Sequence, residues 1–188
     1  MASGLQALQK GMALLEAGSI ADAVEAFKMA GEGGVAEGLV ELARVEIERG
    51  NRKAACDYMR KAEALAEQGD AVANLSCSLA YQLAYGEGPF EQQEEKARHF
   101  LRRAAELGNP IAQSMLAEQL LWGLNGEVQD EHQYEEWIWR AIEQGLDEAV
   151  INHVQNMLNL KRGIEPRLMT KLEELATRSE QARKLLQR

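Results

Sequence analysis

Two stretches of this chain carry the same pattern 37 residues apart. They are KARHFLRRAAELG, from Lys96 to Gly108, and QYEEWIWRAIEQG, from Gln133 to Gly145. In each, an aromatic residue (Phe100, Trp137) precedes an apolar one (Leu101, Ile138), then an Arg (Arg103, Arg140), an Ala (Ala104, Ala141) and a closing Gly. After each Gly come three residues and another Ala, Ala112 and Ala149. A repeat of this period means a stack of like units, none of which can bury its apolar face without its neighbours.

The rest of the chain falls into the same units. Ala, Leu, Glu, Gln and Arg dominate and only three Pro occur in 188 residues, a composition that favours helix. Apolar residues at helical spacing run over 5–17 and 21–32, then 35–49 and 52–68, then about 71–85 and 92–107. Gly18, Gly33-Gly34, Gly50-Asn51 and Gly69 stop these runs, and Ser19 with Asp22 has the spacing of a capping box. Asn109-Pro110 opens a fourth pair, and Asp130 is placed to cap its Trp-rich second helix. A further helix covers about 146–160, Gly163 breaks it, and an amphipathic helix follows Pro166.

Aligned, the units give columns. The first helices read Gly11, Ala43, Ser78, Ala117, Val154. The second helices read Ala23, Ala55, Ala97, Tyr134, and seven residues on Ala30, Ala62, Ala104, Ala141. Between these lie Phe27, Met59, Leu101 and Ile138. Small residues let two helices approach, and larger ones fill the space beside them. On this reading Trp137 belongs to the core, while Trp139, two residues on, is packed on the next unit or exposed as an anchor.

These residues resemble a known family. Gly11, Leu14, Ala23, Phe27 and Ala30 are spaced as in a tetratricopeptide repeat (TPR), with Val35 where the closing proline usually stands. Gly86-x-Gly88, Lys96-Ala97, Phe100 to Ala105, Gly108 and Ala112-Gln113 resemble the Sel-1-like repeat, as do Gly126-x-Val128, Asp130 and Trp137 to Ala141. Pro89, one extra loop residue and Tyr134 depart from that pattern. The resemblance implies an all-α fold, a right-handed α-α superhelix or solenoid. Its units are expected at about 5–34, 35–69, 70–108 and 109–145, with a half repeat at 146–160 and a capping helix at 166–187. It further implies that the first helices line a concave groove that binds other proteins. The family's groove phase falls on Leu8, Met12, Leu15, Val40, Arg44, Ile47, Leu75, Leu79, Gln82, Ser114, Glu118, Leu121, Ile151, Gln155 and Leu158. This face is mostly apolar, as a site for an amphipathic helix or an extended apolar segment is. The Lys/Asn clamp that some relatives use for a peptide carboxylate is absent.

Net charge is −9, and residues 109–145 hold seven acids to one base, which argues against a nucleic-acid partner. The acids Asp130, Glu131, Glu135 and Glu136 surround His132; they either complement a helix dipole or receive a basic stretch of a partner. His99, His132 and His153 stand far apart and form no helical ligand pair with one another, so no metal site is expected. Gly86-x-Gly88 lacks the third glycine and the Lys-Ser/Thr of a phosphate cradle, and no nucleophile stands beside a base. No cofactor site and no catalytic residue is expected. Cys56 and Cys77 read as two buried thiols more readily than as a disulfide. The first residues lack a basic start before an apolar run, and no stretch nears the ~20 apolar residues of a membrane span. The expectation is therefore a cytoplasmic, non-enzymatic adaptor or chaperone-like scaffold for a protein segment. The alternative is a homo-oligomer in which a second copy fills the groove.

Overall fold

The computed structural model describes residues 2–70, 72–77 and 94–187. Helices α1 (Ala2–Glu16) and α2 (Ile20–Glu32), then α3 (Ala36–Glu48) and α4 (Arg52–Ala66), form two pairs. Residues 72–77 are helical, followed among the described residues by α5 (Glu94–Glu106). Next come α6 (Pro110–Trp122), α7 (Glu131–Glu143), α8 (Asp147–Asn159), α9 (Pro166–Ala176) and α10 (Glu180–Leu186). No strand occurs among the described residues. Consecutive helices pack on one another along the chain, which makes the molecule an α-solenoid.

The packing follows the columns. Ala30, Ala62, Ala104 and Ala141 are all fully buried, as are Phe27, Leu101 and Ile138, with Met59 close behind. A Cβ on Gly11 would stand 2.5 Å from the Phe27 ring, so only glycine fits where α1 crosses α2. Ser78 lies outside the described residues.

The turns after α1, α2, α3, α5 and α7 are closed the same way. Gly18, Gly34, Gly50, Gly108 and Gly145 have positive φ, and the next residue's N–H reaches back five residues, as in Asn109 N–H to Ala104 O at 3.0 Å. This is the Schellman stop, for which a left-handed residue is required. Gly69 also has positive φ, at 92°. Asn51, Asn109 and Asp130 cap the helices that follow them; Ser19 does not, so the expected capping box is not formed. A second device recurs between units. Asn74 Nδ2 donates to Ala66 O at 2.7 Å and Gln113 Nε2 to Ala105 O at 3.1 Å, both across eight residues. The amide at the head of one helix thus satisfies a carbonyl at the foot of the previous one.

The C-terminal end differs from expectation. Helix α8 stops at Asn159, and its left-handed residue is Lys161 (φ 54°) rather than Gly163. The half repeat expected at 146–160 is followed by a helix with the spacing of the second helices. Leu168, Leu172 and Leu175 on α9 are spaced as Ala23, Phe27 and Ala30 are on α2, and all three are buried. The single capping helix over 166–187 is two helices. At Thr177-Arg178-Ser179 the side chains compete with the helix. Thr177 Oγ1 donates to Glu174 O at 2.8 Å, and Ser179 turns extended and caps α10. Trp137 is half-buried beneath Arg140, with Ile138 in the core instead; Trp139 is packed between His153 and Arg167 rather than exposed. Cys56 and Cys77 are both free, Cys56 only half-buried.

Candidate binding surface

The first helix of each unit was expected to offer a continuous apolar face, and the structure divides it. On α1 and α3, Leu8, Leu15, Val40 and Ile47 are half-buried and Met12 is exposed. Arg44 is exposed beside them, its guanidinium bonded to Glu41 and Glu48 along its own helix. Toward the other end the face closes. Leu75, Ser114, Leu121 and Ile151 are buried, and Leu75, Leu121 and Ile151 belong to the core built around α6 to α9. They are packing residues and are not available to a partner. Glu118, Gln155 and Leu158 are half-buried; Leu79 and Gln82 lie outside the described residues.

The acidic cluster is engaged within the chain. Asp130 accepts from Gln133 N–H at 2.9 Å and from its amide at 2.8 Å, which holds the carboxyl below its usual range. Glu131 takes both terminal nitrogens of Arg162, at 2.9 and 3.0 Å. Glu135 faces His153, and Glu136 is exposed 3.9 Å from His132. Of the acids Asp130, Glu131, Glu135 and Glu136, the first caps its helix, the second pairs with Arg162, the third faces His153, and Glu136 is the outermost.

The long turn between α6 and α7 is tied to the preceding unit. Glu127 is buried and accepts from both Arg102 Nε, at 2.8 Å, and Arg102 Nη2. Arg98 Nη1 donates to Asn125 O at 3.4 Å.

Sequence reasoning missed a polar chain through the core. Asn156 Nδ2 donates to Glu118 Oε1 at 2.6 Å and lies 3.4 Å from the Tyr134 hydroxyl. That hydroxyl is 2.6 Å from His153 Nδ1, and His153 Nε2 is 3.6 Å from Glu135 Oε2. The signal was Tyr134 itself. A hydroxyl in a column of alanines must find a buried partner. Burial sets the charge states: it pushes the His153 pKa down to about 4 and the Tyr134 hydroxyl up. It raises Glu118, and raises Glu135 with help from the nearby charge of Glu165. At neutral pH His153 and Tyr134 are thus uncharged hydrogen-bonding groups. Cys77 is likewise a thiol, its pKa pushed up to about 12 by burial, without the thiolate that a nucleophile needs.

No helix among the described residues is long and apolar enough to cross a membrane. No protein-family model and no curated protein matches the sequence. Solved structures do match. A Sel1 repeat protein from Oxalobacter formigenes is 24% identical, with a TM-score of 0.63 over 88% of this chain. c5321, a protective antigen of uropathogenic Escherichia coli strains that displays an SLR fold, is 26% identical, with a TM-score of 0.64 over 97% of this chain. The chain spans 48% and 40% of the length of these two proteins. It shares their fold.

Proposed function

We propose that this chain, a Sel1-like repeat solenoid, is a non-enzymatic protein-interaction module: an adaptor or chaperone-like scaffold that takes an apolar or amphipathic segment of another protein on the face of α1 and α3. The Sel1-like repeat fold is generally a protein-interaction scaffold. The observation that carries the finer reading is the run of apolar side chains left open there: Met12 exposed, with Leu8, Leu15, Val40 and Ile47 half-buried around it. In the later units Leu75, Ser114, Leu121 and Ile151 of the same phase are buried and Glu118, Gln155 and Leu158 half-buried, so the more open apolar run is on the first two units. A basic stretch in that partner has Glu136 to meet, since Asp130 and Glu131 are spent within the chain and Glu118 is bonded to Asn156.

The test places a photo-crosslinking residue at Met12, and separately at Lys53, exposed on α4. Crosslinks to another protein from Met12 and not from Lys53, lost on Val40→Asp with an unchanged melting temperature, support the reading. If light scattering instead finds a dimer that Val40→Asp turns into a monomer, a second copy occupies the face and the adaptor reading fails.

A further inference from the structure

One nitrogen of a buried imidazole faces a carboxylate, with a second carboxylate near. His153 is 1% exposed, its Nδ1 is taken by Tyr134, and its Nε2 looks out toward Glu135 at 3.6 Å, too long for a hydrogen bond. Glu165 brings a third ligand atom, so that a nitrogen and two carboxylate oxygens all lie within 4.8 Å of one another. Glu165 precedes Pro166 at the start of α9, and its side chain caps nothing. Arg162, a nearby cation, gives both its terminal nitrogens to Glu131.

The geometry points to a divalent transition-metal site, of the zinc class, formed by His153 of α8, Glu135 of α7 and Glu165 at the head of α9. One imidazole and two carboxylates are a ligand set for zinc, and three protein ligands leave a position for water. Ligand atoms around a tetrahedral zinc stand about 3.4 Å apart, which the His153–Glu135 pair nearly meets, and the exposed Glu165 carboxylate lies within 4.8 Å of both. The Tyr134 oxygen then accepts from Nδ1–H and holds the lone pair of Nε2 toward the metal, the orienting role that the second partner of a ligating histidine plays. A dication also relieves the repulsion between Glu135 and Glu165, which contributes to the raised pKa of Glu135. The site joins three elements of two units, and a bound ion would clip the turn at 160–165 to the helices on either side. Local spacing does not show it, because its three ligands come from three elements.

The experiment titrates the full chain, stripped with chelator, with Zn2+ alone, by calorimetry and by thermal melting. The expected result is one saturable equivalent and a melting temperature that rises with free Zn2+. Glu165→Gln, an exposed position, weakens binding at least ~10-fold without changing the metal-free melting temperature. Co2+ in place of Zn2+ shifts and broadens the imidazole resonances of His153. His132→Ala removes the competing surface pair with Glu136 and leaves the affinity unchanged. No saturable binding, binding indifferent to Glu165→Gln, or binding lost on His132→Ala overturns the assignment. None of these outcomes depends on the partner-binding face.

Discussion

The Tyr134 hydroxyl lies 2.6 Å from His153 Nδ1, and this contact joins α7 to α8 in the middle of the core. The burial of His153 makes the stability of this end of the chain depend on pH. The His153 pKa, 6.5 when exposed, falls to about 4 in the fold because burial disfavours the imidazolium. Between those values the unfolded chain binds a proton that the native chain does not, so the stability present above pH 6.5 is lost as pH falls toward 4. The full difference is about 3 kcal/mol. Glu135 and Glu118, whose pKa values are raised, act with the opposite sign, since the native chain takes up their protons first. Tyr134 and Glu165 also face this region, and Arg162 acts on Glu135 and Tyr134. Urea midpoints at pH 7 and pH 4.5 should fall more for the native chain than for His153→Gln. Equal losses would show that His153 is not the group responsible.

Ala104 is fully buried where α5 meets its neighbours. Ala104→Arg forces a long cation into a space built for a methyl group. Overpacking and an unpaired buried charge together should cost more than ~3 kcal/mol. For a chain of this size the melting temperature should drop by roughly 10 °C. An unchanged melting temperature would mean that the column alignment does not describe the packing.

That column was legible because its residue type recurs with its geometry: Ala30, Ala62, Ala104 and Ala141 are small where helices touch, and all are buried. The glycine stops were legible for the same kind of reason, and Gly69, Gly108 and Gly145 have the positive φ that their places after helices imply. The second-helix spacing of α9 was hidden because leucine stands at Leu168 and Leu175 where the first two units have alanine. The spacing of four and three was present, but the residue type had changed. The binding face was legible only in part. A helical phase says which residues share a side, and whether Leu121 or Ile151 is open depends on what the next unit lays over it. The polar chain from Glu118 to Glu135 crosses helix boundaries, so no local pattern holds it. Its one trace was a tyrosine out of place.

Arg102 reaches from α5 to the carboxylate of Glu127, whose side chain is 4% exposed. Arg102→Ala leaves that carboxylate buried and unpaired. The expected loss is about 2 kcal/mol, toward the lower end of the range for charged hydrogen bonds because the arginine is itself partly exposed. Arg102→Lys should recover only part of it, since lysine lacks the fork that takes both carboxylate oxygens. Hydrogen exchange over residues 124–129 should quicken in both variants, more in the alanine one. Unchanged exchange there would mean that the turn is held by other contacts.

The last prediction separates a fifth repeat from a cap. A helix laid over the end of a solenoid keeps its inner side chains partly open at the edges, and shortening one of them is mild. A full member of the stack buries them as the other units do. Leu172 is fully buried at the position of Phe27, Met59, Leu101 and Ile138. Leu172→Ala should therefore cost 2–5 kcal/mol, the range for a leucine removed from a packed core. Leu186 on α10 is 40% exposed, and Leu186→Ala should stay within about 0.5 kcal/mol. Denaturant unfolding of the two variants beside the native chain measures both. Similar small losses for the pair would return α9 to the role of a cap. A large loss at Leu172 alone makes it the fifth member of the column, and ties the stability of α8 to a helix that follows it across the Leu160–Glu165 turn.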